Sequence, residues 1–196
     1  MTAIPSHKKI YTPGEYLELE RKATHKSEFY KGEIFAMSGA SLIHNKITSR
    51  FFSLLSKELD IKTYSIYGSD LRVHIPANSL FTYPDISVVS GKEELLDQEF
   101  DTLLNPVFIA EILSPSTANY DTGTKFTLYR SIPSLKEYWT ISSFEYRVQK
   151  FVKNEKDNTW ILSETTNIND VMVLSTFDIS VSLKTLYDGT LEVGTQ

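Results

Sequence analysis

The run VFIAEIL, residues 107–113, limits the possible folds more than any other stretch of this chain. Read as a strand, it points Val107, Ile109, Glu111 and Leu113 to one face and Phe108, Ala110 and Ile112 to the other. Apart from Glu111 both faces are apolar, and a strand of that kind lies inside a sheet covered on both sides. The fold therefore needs a sheet with further layers packed against it. Glu111 is then the anomaly, because an ionised carboxylate costs several kcal/mol there unless it is paired or binds a metal. A salt bridge to Arg or Lys, or exposure at the strand's end, is the ordinary solution. Ligation of a cation is the other.

The rest of the pattern supplies helices and strands around this run. Thr12, Pro13 and Glu15 mark a helix start, as cap, first helical residue and favourable charge. Ser27–Tyr30 and Glu33–Met37 flank Lys31-Gly32 and read as a hairpin. Ile43, Ile47, Phe51, Leu54, Leu55 and Leu59 recur at helical spacing behind a Ser41 cap. From residue 64, YSIYGSDLRVHIP suggests two short strands broken at Gly68, and DISVVS a third. GKEELLDQEFDTLLNP reads as a loop with a helical turn or two. After VFIAEIL, a loop runs into a helix that ends near Ile132-Pro133. LKEYWTIS, YRVQKFVKN and TWILSET then read as consecutive strands, and FDISVSLKTLYDG as a short strand with a helical turn. This order gives a mixed α/β domain with its sheet sandwiched by helices, and one domain over residues 1–196.

A second acid stands out in YPDISVVS, residues 83–90, where Asp85 starts an apolar strand behind a proline. If that start meets the end of the VFIAEIL strand, the two carboxylates converge. The chain has no cysteine, so any metal is held by carboxylates or histidines, and paired carboxylates suit a hard cation such as Mg²⁺ or Mn²⁺. Further on, Asp121, Lys125 and Tyr129 are spaced by four and share a face if the segment is helical. That spacing fits a solvated ion pair as well as a lysine aimed at the carboxylates. The absence of cysteine also fits a reducing, cytoplasmic setting. No apolar run reaches the length of about 18 residues that a membrane span needs, and the N-terminus carries no signal-peptide pattern. With 20 basic and 25 acidic residues the formal charge is −5, which argues against coating nucleic acid by bulk charge.

YPDISVVS, FIAEILSPST, DTGTK and YR followed by IPSLKEYW, with EFYKGEIFAMSGAS and HNKI upstream, resemble the Uma-two family of candidate endonucleases. That family lies within the PD-(D/E)XK restriction-endonuclease-like superfamily. The PD dipeptide is a weak signal by itself, whereas the ordered set is specific. The resemblance implies a central mixed β-sheet flanked by helices and a metal-dependent phosphodiesterase site at one edge. It implies that Asp85 is the motif's Asp and Glu111 its second acid. The superfamily lysine belongs two residues after that acid, where this chain has Leu113, and Lys125 on the following helix is the matching position. Glu28 matches the acid ahead of the core strands, with Glu33 as its rival, and His44 matches a further position whose ordinary reading is structural. In this reading Asp85, Glu111 and Glu28 hold Mg²⁺ or Mn²⁺, Lys125 assists, and the partner is nucleic acid, DNA first. Lys46, Arg50, Arg72 and Arg130 are the candidate phosphate donors.

Three other classes compete. A catalytically inactive nuclease fold would bind nucleic acid or a protein without turnover, as Leu113 and the acidic balance favour. An assembly subunit would pair as a homodimer through an edge strand or aromatic patch in KEYWTIS or YRVQKFV. A serine hydrolase using Ser114 or Ser116 is disfavoured, because LSPST lacks the glycines of a nucleophile elbow.

Overall fold

The computed structural model describes residues 9–191. The first described element is α1 (Pro13–Glu20), capped at its start by a capping box in which Thr12 and Glu15 bond each other's backbone N–H. The hairpin β1 (Ser27–Tyr30) and β2 (Glu33–Ala36) turns at Lys31-Gly32, with φ of 48° and 87°. Positive φ at both central residues is the hairpin turn that matches strand twist, and glycine is its cheapest occupant. Next come α2 (Leu42–Glu58), β3 (Tyr64–Gly68), β4 (Arg72–Ile75), β5 (Leu80–Thr82), β6 (Ile86–Ser90), β7 (Thr102–Leu103) and β8 (Phe108–Leu113). A π-helical turn at Tyr120–Lys125 runs straight into α3 (Phe126–Tyr129). The last described elements are β9 (Glu137–Ser142), β10 (Val148–Lys153), β11 (Trp160–Thr165), β12 (Val171–Leu174), β13 (Ile179–Ser182) and α4 (Leu183–Tyr187).

The six-stranded sheet has the order β11-β10-β9-β8-β6-β3. It is mixed: β8 and β9 run parallel, with the helical segment as their crossover, and the other neighbours are antiparallel. All six residues of β8 are buried, as its two apolar faces require. On one face, Ile47, Phe51 and Leu55 of α2 pack on Ile86, Val88, Phe108, Ala110 and Trp139, and the β12–β13 ribbon and α4 close the layer. Phe51 stacks on Trp139 with centroids 5.6 Å apart. Each such fully buried side chain contributes about 1.5–3 kcal/mol.

The opposite face differs from the helix-only layer that the sequence suggests. Leu128, Tyr129, Ile132 and Leu135 cover part of it, and Val73, Ile75, Leu80 and Leu103 of a second sheet cover the rest. That sheet has the order β2-β1-β5-β4-β7. The stretch GKEELLDQEFDTLLNP forms no helical turn; it supplies β7, which joins β4 in parallel and buries Leu103. KEYWTIS and YRVQKFV are interior rather than edge segments, since β9 lies between β8 and β10, and β10 between β9 and β11. Among the described residues, no helix is long and apolar enough to cross a membrane.

Candidate active site

The β6–β8 ladder pairs Ile86 with Ala110. One step further, the same register brings Asp85, in a bend just before β6, alongside Glu111. Asp85 is held at both oxygens: Oδ2 accepts from the Ile112 N–H at 2.7 Å, and Oδ1 lies 2.9 Å from His44 Nε2. Glu111 is only 4% exposed. Its Oε1 accepts from the Tyr129 hydroxyl at 2.7 Å and from Lys125 Nζ at 2.9 Å. Lys125 Nζ also lies 3.0 Å from Glu28 Oε1 and 3.6 Å from Asp121 Oδ1. Glu28 stands on β1 and takes a short hydrogen bond from Thr82 on β5.

Five separated segments thus deliver one cluster: Glu28 from the hairpin, Asp85 and Glu111 from adjacent strands, His44 from α2, and Asp121 with Lys125 from the π-helical turn. All six line a cleft of about 550 Å³. The π-helical form is notable locally, since such single turns within α-helices are frequent at functional sites. Asp121 and Lys125 do share a face, and Tyr129 from α3 joins them at Glu111.

The electrostatics follow from crowding. Burial works against the Lys125 ammonium, but Glu111, Glu28 and Asp121 outweigh it and hold its pKa well above the ordinary lysine value. Burial pushes the Glu111 carboxyl up to about 8, with Lys125 pulling it down and Asp121 and Asp85 pushing it further up. Burial likewise raises Asp121. These directions oppose one another only on the surface. One ammonium satisfies itself fully among three carboxylates, while three carboxylates share a single cation and stay short of positive charge.

The donor set is hard and oxygen-rich, with one lysine among three acids, and such oxygens are the ligands a divalent cation takes. Among the described residues, no three carboxylates or imidazoles stand as a ready cation cage. Lys125 is interposed between Glu28 and Glu111, and both Glu111 contacts fall on Oε1, leaving Oε2 as the oxygen a cation would use. Asp85 and Glu111 are the residues that could hold such a cation.

The hairpin acids separate here: Glu28 lines the cleft and touches Lys125, whereas Glu33 is not part of the lining. The four candidate phosphate donors do not gather at the cleft. Arg72 is 2% exposed and spent internally on Thr102, Tyr83 and Asp101. Lys46 bonds the Gly189 carbonyl, and neither Arg50 nor Arg130 lines the cleft. The basic residues of the lining are His25, Lys26, His44 and Lys125.

Sequence reasoning also passed over Glu137, a second lone acid on an apolar strand. It is fully buried and saturated: Oε1 accepts from Trp139 Nε1 and Ser175 N, and Oε2 from Thr176 N and Oγ1. It clamps the turn between β12 and β13 and lies outside the cleft lining. Burial of a carboxylate therefore does not single out a candidate site by itself; Glu111 differs from Glu137 in having a lysine, further acids and a cleft beside it.

The family model Uma2, described as "Putative restriction endonuclease", matches residues 13–185. The chain belongs to the Uma2 family. Two relatives come from Synechocystis sp. (strain ATCC 27184 / PCC 6803 / Kazusa). This Uma2 chain is 42% identical over 156 residues to the "Uncharacterized protein sll1609", covering 80% of this chain and 88% of that one. It is 33% identical over 178 residues to the "Uncharacterized protein slr1290", covering 91% and 92% respectively. A crystal structure of "a putative nuclease belonging to DUF820" from Anabaena variabilis ATCC 29413 superposes with a TM-score of 0.75 at 19% identity, covering 91% of this chain and 98% of that one. At that identity the likeness concerns the fold, an α/β restriction-endonuclease-like architecture with mixed sheets flanked by helices. Family and fold together place the Uma2 chain among nuclease-like proteins.

Proposed function

We propose that this Uma2 protein is a Mg²⁺- or Mn²⁺-dependent endonuclease of the PD-(D/E)XK type that hydrolyses phosphodiester bonds in DNA, and that the chain acts as one nuclease-like domain. The observation that carries this reading is the 2.9 Å approach of Lys125 Nζ to Glu111, beside Asp85 at the neighbouring strand start. It brings together an Asp, a Glu and a Lys although position 113 is leucine. Asp85 and Glu111 are assigned as cation ligands, with Glu28 as the third acid. When bound, the cation supplies Lewis-acid neutralisation of phosphate charge.

The chain's own groups have complementary tasks. Lys125 keeps its proton at neutral pH, so it serves as a hydrogen-bond donor to developing negative charge and not as a base. Tyr129 orients Glu111 through its hydroxyl.

The test is cleavage of supercoiled plasmid and single-stranded DNA with Mg²⁺, Mn²⁺ or EDTA, comparing wild type with Glu111→Gln. Metal-dependent cutting that disappears in the variant is expected. Full activity in Glu111→Gln would sink the assignment. Leu113 at the motif's lysine position favours a second reading, a catalytically inactive module. It predicts DNA retention in a gel shift without product under any metal.

A further inference from the structure

We infer that His44 is a positioning residue that fixes the Asp85 carboxylate in its cation-binding orientation. The inference rests on the cation reading proposed above and assigns a role that reading does not include.

Asp85 sits in a bend outside the β6 ladder, so strand pairing does not fix its side chain. Two donors do, one on each oxygen: the Ile112 N–H at 2.7 Å and His44 Nε2 at 2.9 Å. Two donors on two oxygens set both the position and the plane of a carboxylate. Each carboxylate oxygen accepts at two sites, so this clamp leaves acceptor capacity on both oxygens. Of the two donors, the Ile112 amide belongs to β8 and is fixed by the sheet. The imidazole is the one that a side-chain change can remove.

The platform under His44 is rigid. Ser41 caps α2 by accepting from the His44 N–H at 3.1 Å, and Thr48 Oγ1 donates to the His44 carbonyl at 2.8 Å. A turn further on, Ile47 and Phe51 are fully buried in the core. The pair itself faces the cleft: the His44 and Asp85 side chains are 15% and 16% exposed, and both line the cavity. Glu137 shows how this chain builds a purely structural carboxylate clamp. That acid is fully buried, takes four donors and lies outside the cleft lining. Asp85 takes two donors and stays open to the cavity, as a group held for something else to bind would be. Donors that orient metal-binding side chains typically control affinity by about 10–100-fold.

The test is Mn²⁺ binding to the full chain without nucleic acid, by isothermal titration calorimetry well below the melting temperature. His44→Ala is expected to weaken binding by about 10–100-fold, and His44→Gln, which keeps a side-chain N–H donor, to recover most of that loss. His44→Phe keeps a ring of similar bulk without the donor and carries the same expectation as alanine if alanine unfolds. Unchanged Mn²⁺ affinity in folded His44→Ala or His44→Phe overturns the inference, as does equal weakening in His44→Gln. Asp85→Asn separates the two levels. If it leaves Mn²⁺ affinity intact, the cation reading itself fails; if it loses affinity while His44→Ala does not, only the positioning role fails.

Discussion

Replacing Lys125 by methionine removes one charge from between three acids and keeps most of the side-chain volume. The ammonium lies 2.9, 3.0 and 3.6 Å from oxygens of Glu111, Glu28 and Asp121. At an effective dielectric of about 20, each contact is worth roughly 5 kcal/mol of gross attraction. Desolvation of the ions and repulsion among the acids offset most of that sum. Removal of one partner from a buried ionic group costs about 3–5 kcal/mol, since the remaining charges stay buried and unpaired. Lys125→Met is therefore expected to lose about 3–5 kcal/mol at pH 8. The loss must shrink in acid. Burial already raises Glu111 and Asp121 in the wild type, and without Lys125 both rise further, so towards pH 8 the folded variant keeps protons that the folded wild type releases. A carboxyl raised on folding contributes stability that is fully present below its unfolded pKa and lost as pH climbs through its folded one. One such extra proton changes stability by about 1.4 kcal/mol per pH unit. Urea denaturation followed by tryptophan fluorescence at pH 5.5 and pH 8 measures both terms, because Trp139 is fully buried. A destabilisation that is equal at the two pH values, or below about 1 kcal/mol at pH 8, would refute the crowding argument.

Glu137→Ala leaves the donors of Trp139, Ser175 and Thr176 without an acceptor, and should cost about 3 kcal/mol in urea denaturation. Its Mn²⁺ affinity should stay at the wild-type value, since Glu137 is outside the cleft; a parallel loss of affinity would contradict that separation. Gly32→Ala forces a side chain onto φ of 87°, with its Cβ 2.6 Å from Ile10 Cγ2. Thermal melting should show a loss of about 1–2 kcal/mol, and an unchanged melt would mean that the hairpin turn relaxes freely.

The parts of this fold legible in the sequence are those that carry their own periodicity. The VFIAEIL run reads correctly as a buried central strand because both its faces are apolar. The α2 spacing of Ile47, Phe51 and Leu55 identifies the core face, and the Lys31-Gly32 turn identifies the hairpin. The meeting of Asp85 and Glu111 follows once β6 and β8 pair antiparallel. Other elements exist only through tertiary pairing. Strand β7 has two residues and β5 three, too short for any pattern, and they form because β4 offers them an open ladder on each side. The second sheet depends on such a piece, since β5 joins the hairpin to β4, so the sequence does not show that these strands form one layer. Within the site, the four-residue spacing shows that Asp121 and Lys125 meet, but not that Glu28 joins them, since hairpin alternation cannot choose between Glu28 and Glu33. Arg72 reads as a phosphate donor because its burial depends on Tyr83, Thr102 and Asp101, which lie 11 to 30 residues away in the chain.

Anomalous scattering from crystals grown with Mn²⁺, without nucleic acid, tests the central claim most directly. A peak bonded to carboxylate oxygens of both Asp85 and Glu111 is expected, at about 2.0–2.2 Å by analogy with other small hard cations. A peak elsewhere on the protein with none at these two acids, at Mn²⁺ concentrations that saturate binding in solution, would contradict it.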